Sequence, residues 1–365
     1  MNDHHIIRCI DDTMYGIGDN TNCQLGSSIS YRNAPIKLNI NIKYVNIAFG
    51  LHHTLFLTTD AELYGLGDNG CGQLGIGKSI VQQENPKKIM DNIKMIGCGD
   101  RYSLAYAYDN MLYFFGAGKV NPKLVLDYNS YIPTVILDNI NIKKMMCGGD
   151  HFYLLDENNK LHKFGCNGNN QLDFGEIDQP LKKIACGKDF TVALTNNDIW
   201  VCGNNENGEI GLSENENMNS SQVLDLGELH IVDVCCGRFY SALLTDDGKV
   251  YVNGRIYIYD KLEKMKLIST NTKYMIGGSE SIILFQNNDD VIYHHKNIKI
   301  QTLTFDKKIS MINNQLILWS PDHHKYLNKE FKDQIVTLMM IYDRFKKSRY
   351  PIGKYVIFEI IHRCI

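Results

Sequence analysis

Ala48-Phe-Gly-Leu-His-His-Thr-Leu-Phe-Leu-Thr-Thr-Asp-Ala-Glu-Leu-Tyr-Gly-Leu-Gly-Asp-Asn-Gly-Cys-Gly-Gln-Leu-Gly75 is the stretch that decides the fold. Its second half, Tyr64 to Gly75, has a near-copy at Tyr15-Gly-Ile-Gly-Asp-Asn-Thr-Asn-Cys-Gln-Leu-Gly26. Weaker copies follow at Phe164 to Leu172 and Trp200 to Gly211, and half-copies at Phe115-Gly-Ala-Gly118 and Tyr251-Val-Asn-Gly254. Counted three residues after each aromatic, the marker positions are Gly18, Gly67, Gly118, Asn167, Gly203 and Gly254, spaced 49, 51, 49, 36 and 51 apart. Asn substitutes for Gly at such a point because it tolerates positive φ. In the weaker copy Gly165 directly follows Phe164. The first half of the stretch recurs too, as an apolar run, a glycine, two or three residues and a second apolar run. Its glycines are Gly50, Gly99, Gly148, Gly187, Gly237 and Gly277.

Short β-rich runs such as Leu55–Leu57, Val192–Leu194 and Ala242–Leu244 are bounded by Asp-Gly, Asn-Asn or Asn-Asp. Those dipeptides suit tight hairpins because Asn, Asp and Gly accept positive φ. Each repeat therefore reads as a small antiparallel sheet. A lone sheet of this kind cannot bury both faces, but stacking neighbours around an axis does, which is the logic of a propeller. The sequence opens in mid-repeat at Ile6 to Gly18, and Lys308 to Trp319 carries an orphan copy of the missing unit. Joined, they make one composite blade. The expectation is an all-β, seven-bladed propeller of about 50-residue repeats over 1–320, closed by N- and C-terminal strands in one blade, with a short α-helical C-terminal tail over 326–365.

Composition fits that reading. Lys+Arg is 38 against Asp+Glu 41 in 365 residues, so the chain is not a polycation and non-specific DNA binding is disfavoured. A chain this long buries a sufficient core without disulfides or metals. The 11 cysteines are an odd number, and Met1 to Ile10 lacks an apolar stretch of signal-peptide length. Free thiols in a reducing compartment, cytoplasm or nucleus, are expected, and secretion is not. With no apolar run of about 18 residues, no membrane helix is expected.

Residues Ala48 to Gly75 resemble the regulator of chromosome condensation repeat almost end to end, and the resemblance extends from roughly Ile6 to Ser320. It implies the propeller fold and leaves function open, because such propellers serve many roles. The Asn, Ile and Lys bias fits an AT-rich genome, as of a large DNA virus or a protist.

Several motifs have bland readings that outweigh the sharper ones. Gly65-Leu-Gly67-Asp-Asn-Gly70 satisfies a dinucleotide fingerprint, but that motif needs a helix after it, and Cys71 to Gly77 is too glycine-rich. Cys98, Cys147, Cys186 and Cys236 each precede a repeat glycine, while Phe49 and Ile276 fill the same slot. That points to apolar packing rather than metal ligation. His53 and His151 share a repeat position with Tyr102, Phe190 and Tyr240, so an amphipathic ring packed within each blade is expected, with no catalytic role. His4-His5 and the other histidine pairs read as exposed loops. No cofactor and no metal are expected. For a partner face, the acidic residues beside the glycine turns, Asp19, Asp68, Asp100, Asp150 and Asp189, form a ring that would focus negative potential. Lys119 to Pro133, with Tyr128 and Tyr131, and the polar Ser213 to Ser221 depart from the repeat, where binding loops are commonly found.

After Ser320-Pro321 the period changes. Phe331, Ile335, Leu338, Met339, Tyr342 and Phe345 make a helical stripe. Tyr350-Pro351 breaks it, and a second apolar segment runs from Val356. This tail resembles the start of an F-box or the helical domain ending many viral ankyrin-repeat proteins, with Pro351, Val356, Ile357, Ile360 and Ile361 in matching order. Tyr350 stands where Leu is usual, and Pro351 lies two residues further from Val356 than in the pattern. The tail resemblance implies contact with a Skp-type adaptor, making the protein a substrate receptor of a cullin–RING ubiquitin ligase. The propeller resemblance implies, alternatively, nucleotide exchange on a Ran-type small GTPase. A structural or virion-associated propeller is a third reading. Residues 1–10 hold one Arg and no Lys, unlike the basic arm of the founding family member, so chromatin binding is disfavoured. A non-enzymatic protein–protein interaction scaffold is the leading expectation.

Overall fold

The computed structural model describes residues 4–316, apart from 10–12, 27–30, 41, 119–128, 176, 178, 197, 213–219, 257–264, 288–289, 296–297, 304–308 and 313–314. The expected tail with Pro351, Val356, Ile357, Ile360 and Ile361 lies outside these residues, as do Tyr128 and most of the two loop segments. The described strands form seven antiparallel sheets, one per blade. Blade 1 contains His4–Cys9, Met14–Asp19 and Tyr31–Lys37, joined by Ile309–Ile312 and Gln315–Leu316. Blade 2 runs Tyr44–Phe49, His53–Thr58, Leu63–Asp68 and Gln82–Met90, and blade 3 Ile93–Cys98, Tyr102–Ala107, Leu112–Gly116 and Ser130–Leu137. Blade 4 has Ile142–Cys147, His151–Asp156 and Leu161–Gly165. Blade 5 has Lys183–Cys186, Phe190–Leu194, Ile199–Gly203 and Gln222–Val223. Blade 6 comprises Ile231–Cys236, Tyr240–Thr245, Val250–Gly254 and Lys266–Ser269. Blade 7 comprises Thr272–Gly277, Ser281–Gln286, Val291–His295 and Ile298–Leu303.

The second strand of each blade explains the apolar runs. His53–Thr58 is buried throughout. Side chains alternate across a strand, so Leu55 and Leu57 pack towards blade 3 while Phe56 packs towards blade 1. The same alternation repeats around the ring, and one apolar core sits between each pair of neighbouring blades. Each strand is covered on both faces, which is why its sequence is continuously apolar rather than alternating.

Blade 1 is composite. His4–Cys9 pairs antiparallel with Ile309–Ile312, matching Ile7 with Ile312 and Arg8 with Met311, with a register shift between Arg8 and Cys9. Blade 4 has three described strands, in keeping with the shortened repeat that follows it.

Three markers sit in a different register from the sequence count. His53 pairs with Gly67, and its counterparts Tyr102 and His151 pair with Gly116 and Gly165. Gly116 and Gly165, both with φ near +110°, are therefore the repeat glycines, not Gly118 and Asn167. Asn167 instead matches Asn69: its Oδ1 accepts the Leu172 amide at 2.8 Å, as Asn69 Oδ1 accepts that of Leu74 at 2.9 Å. The corrected spacings are 49, 49, 49, 38 and 51. In blade 7 Gly278 donates to the Ser281 carbonyl as Gly99 does to that of Tyr102, so Gly278 rather than Gly277 is the turn glycine, and Gly277 takes the slot of Cys98. Phe115-Gly-Ala-Gly and Phe164-Gly-Cys-Asn imitate the motif two residues late, which displaces a count based on the aromatic alone.

Candidate protein-interaction face

In blades 2 to 6 the turn from the first strand into the second is built on one steric rule. A Cβ on Gly50 or Gly148 would fall inside the imidazole of His53 or His151, and one on Gly99, Gly187 or Gly237 inside the ring of Tyr102, Phe190 or Tyr240. Glycine is required because an aromatic ring three residues later folds back over its Cα.

Apart from Phe190, which carries no polar atom, those rings do not stay within their blades as expected; His53, Tyr102, His151 and Tyr240 each tie their blade to the next. His4 Nε2 lies 2.8 Å from Thr54 Oγ1, His53 Nε2 2.9 Å from Ser103 Oγ, and His151 Nε2 2.9 Å from Thr191 Oγ1. Each hydroxyl already donates its proton to a loop carbonyl: Thr54 to Gln24, Ser103 to Gln73 and Thr191 to Gln171. The imidazole Nε2 must therefore be the donor, which fixes the neutral tautomer. Where the next blade offers Phe152 or Ile282 in place of a hydroxyl, the ring is tyrosine. Tyr102 reaches the His151 carbonyl at 2.7 Å, and Tyr240 reaches that of Ser281. Between blades 7 and 1 the pair is inverted, with Ser281 facing His5 Nε2 at 2.7 Å. His4 and His5 are thus buried, not the exposed loop expected, because they occupy the linking positions of blade 1. Burial pushes the His53 pKa down to about 3 and that of His151 to about 4. Neither imidazole can take a proton from its hydroxyl neighbour, so these pairs do not form a nucleophile and base.

Above the rings runs a backbone belt. Leu51 N–H donates to Asp100 O, Asp100 to Gly149, Gly149 to Gly187, Lys188 to Arg238 and Arg238 to Ser279, at 2.7–3.4 Å. Each link joins one blade to the next, so the turns of blades 2 to 7 form a hydrogen-bonded rosette around the axis. Its side chains carry both signs. Arg238 of blade 6 reaches Asp100 of blade 3 at 3.6 Å; these blades lie across the ring, so the pair spans the channel mouth. Lys188 pairs with Asp189 at 2.9 Å, and both Lys188 and Arg238 lie over the Phe239 ring. Asp150 and Arg101 are exposed. Burial raises the Asp100 carboxyl pKa, Arg238 opposing it.

The expected ring of acids is therefore divided. Asp100, Asp150 and Asp189 do meet on one face, but Arg101, Lys188 and Arg238 interleave with them, so the face is a charge mosaic. Asp19 and Asp68 serve their own loops. Asp19 is buried and accepts the Thr21 amide at 2.9 Å, and Asp68 accepts from the Gly70 amide and Gln73 Nε2. Tyr131 packs against blade 2, its hydroxyl 3.2 Å from Gly70 O and its ring beneath Lys78. Gly65 to Gly70 ends a strand and enters a tight turn. Cys98, Cys147, Cys186 and Cys236 line an axial cavity of about 230 Å³ under the rosette. Burial pushes the Cys147 thiol up to about 12. Among the described residues no three His, Cys, Asp or Glu side chains are grouped to hold a metal, and no helix is long and apolar enough to cross a membrane.

Sequence reasoning missed Arg101, Lys188, Arg238 and Phe239. The available signal is position: they fill the same two slots between turn glycine and ring residue that hold the acids.

Sequence profiles of the Regulator of chromosome condensation (RCC1) repeat match residues 44–73, 181–209 and 231–255, and a second profile of that repeat matches 60–106. These fall on blades 2, 3, 5 and 6. The chain is 28% identical over 238 residues to the human probable E3 ubiquitin-protein ligase HERC6, covering 57% of this chain and 23% of that protein. It is 28% identical over 245 residues to the ultraviolet-B receptor UVR8 of Arabidopsis thaliana, covering 60% of this chain and 56% of the receptor. The match thus spans about a quarter and about half of these relatives. Among solved structures it resembles Prp20p of Saccharomyces cerevisiae, described with its binding to Gsp1p and histones (TM-score 0.62, 19% identity, 80% of each chain). It also resembles human WBSCR16 (TM-score 0.66, 16% identity, 84% of this chain and 95% of that one). The chain is a seven-bladed β-propeller built from repeats of the regulator of chromosome condensation type.

Proposed function

We propose that this chain is a non-enzymatic protein-interaction scaffold whose turn rosette receives a partner protein. The observation that carries it is the mosaic of Asp100, Arg101, Asp150, Lys188, Asp189 and Arg238 on a belt of blade-to-blade hydrogen bonds. Charges held on ordered backbone lose little entropy on binding and select a partner by complementary sign. The finer reading is a substrate receptor: the propeller holds a target, and the tail engages a Skp-type adaptor through Pro351, Val356, Ile357, Ile360 and Ile361. Tethering raises the local concentration of target near the ligase. The F-box-like order of those five residues supports it.

Affinity capture from eukaryotic lysate with the full chain tests both levels. Val356→Asp/Ile360→Asp should abolish recovery of adaptor and cullin while sparing the target. Asp150→Lys/Asp189→Lys should remove the target and spare the adaptor. Recovery of no adaptor by the unmodified chain would sink the receptor reading. Recovery of a nucleotide-free small GTPase, lost with the rosette variant alone, would support exchange instead.

A further inference from the structure

The opposite mouth of the channel, where the first strands begin, has different chemistry. Blades 4 and 5 start with paired lysines, Lys143-Lys144 and Lys182-Lys183, around a pit of about 450 Å³. Met95, Met145, Met146, Leu181 and Ile184 form its apolar wall. Lys183 is paired with Asp233 at 2.6 Å, and Lys143 Nζ donates to Asn159 Oδ1 at 3.0 Å. Lys144 and Lys182 are exposed, and among the described residues neither has a carboxylate partner. Clustered like charges with no counter-charge add nothing to folding, and they attract an anionic ligand. The methionines adapt to varied aliphatic shapes.

We propose that this pit binds a linear peptide of a partner protein, in which aliphatic side chains are flanked by carboxylates. The aliphatic group enters between Met95, Met145 and Ile184, and the carboxylates meet Lys144 and Lys182. A nucleic acid would ask for an extended basic track with aromatic or arginine stacking, and an apolar wall in a lysine rim does not offer it. The site is independent of the rosette, so it stands or falls separately from the reading of that face.

A displayed library of random peptides, selected on the full chain and counter-selected on Lys144→Glu/Lys182→Glu, tests this directly. The expected consensus is one or two Leu, Ile or Met between Asp or Glu residues. By fluorescence anisotropy the charge-reversed protein should bind the selected peptide about tenfold or more weakly. Met145→Gln should weaken it severalfold, and a control peptide of glutamate alone should bind at least tenfold more weakly. Both lysines are exposed, so an unchanged melting temperature separates lost binding from lost fold. A basic or aromatic consensus, equal binding by the lysine variant, or tighter binding of a labelled single-stranded oligonucleotide would each overturn the proposal.

Discussion

The two mouths of the channel are built from the same inner strands, yet they follow opposite rules. At the rosette, glycine, ring and hydroxyl are locked together by sterics and hydrogen bonds that cross from blade to blade. At the lysine mouth, the corresponding strand starts vary from Val45 to Lys94, Lys143, Lys182, Val232 and Lys273, and all six are exposed. One end is where the ring is held together, and the other is where the sequence is free to suit a ligand.

The contrast can be broken first by Gly99→Ala. The added methyl would meet the buried Tyr102 ring and displace its bond to blade 4, costing about 4 kcal/mol in denaturant unfolding. A loss below about 1 kcal/mol would mean the ring can move aside. Next is pH. Burial holds His4 well below the usual histidine range, His53 at about 3 and His151 at about 4. The unfolded chain takes up protons first as pH drops, so stability is complete above about pH 6.5 and is lost as pH falls towards these values. At pH 5 that is about 2 kcal/mol for each of His53 and His151. Asp100, whose carboxyl pKa is raised by burial, acts in the opposite sense at lower pH and offsets part of it. Thermal melts from pH 7.5 to 5 should show the decline, and Ser103→Ala should not abolish it.

A smaller effect is expected from Arg238→Met. Its pair with Asp100 is about one-fifth exposed on each side, so about 1 kcal/mol is the expected loss. Restoration by a second change, Asp100→Asn, would identify the uncompensated carboxylate as the cause. Smallest are Lys144→Ala and Lys182→Ala, which should shift stability by no more than about 0.5 kcal/mol. A larger loss would show that the lysine mouth is structural as well.

Much of this was legible in the sequence, and the reasons are physical. Blade number followed from repeated glycines, since each glycine answers a local steric demand that any neighbour-blind reading can detect. Local demands also explain the errors. Phe115-Gly-Ala-Gly118 looks like a marker, but cross-strand pairing with Tyr102 selects Gly116. Asp68 and Asp150 look alike beside their turns, yet one is consumed by Gln73 and the other faces solvent. The exchange of His for Tyr when the next blade lacks a hydroxyl depends on a residue about 50 positions away. So does the pairing of Arg238 with Asp100, across the whole ring. Such partners become visible only once the blades are placed.

The pairing of His4–Cys9 with Ile309–Ile312 has a kinetic consequence. Closing that contact from an unfolded chain costs roughly 3 kcal/mol more in loop entropy than closing a ten-residue hairpin. Local hairpins should therefore form early, and the seam should zip up last, after the intervening blades have drawn its two halves together. Until then the Ile6 and Ile7 faces would stand open to water. A nascent chain would carry that hazard until residues near 312 leave the ribosome, so a slow final phase, accelerated when the two seam strands are covalently linked, is the signature to look for in refolding.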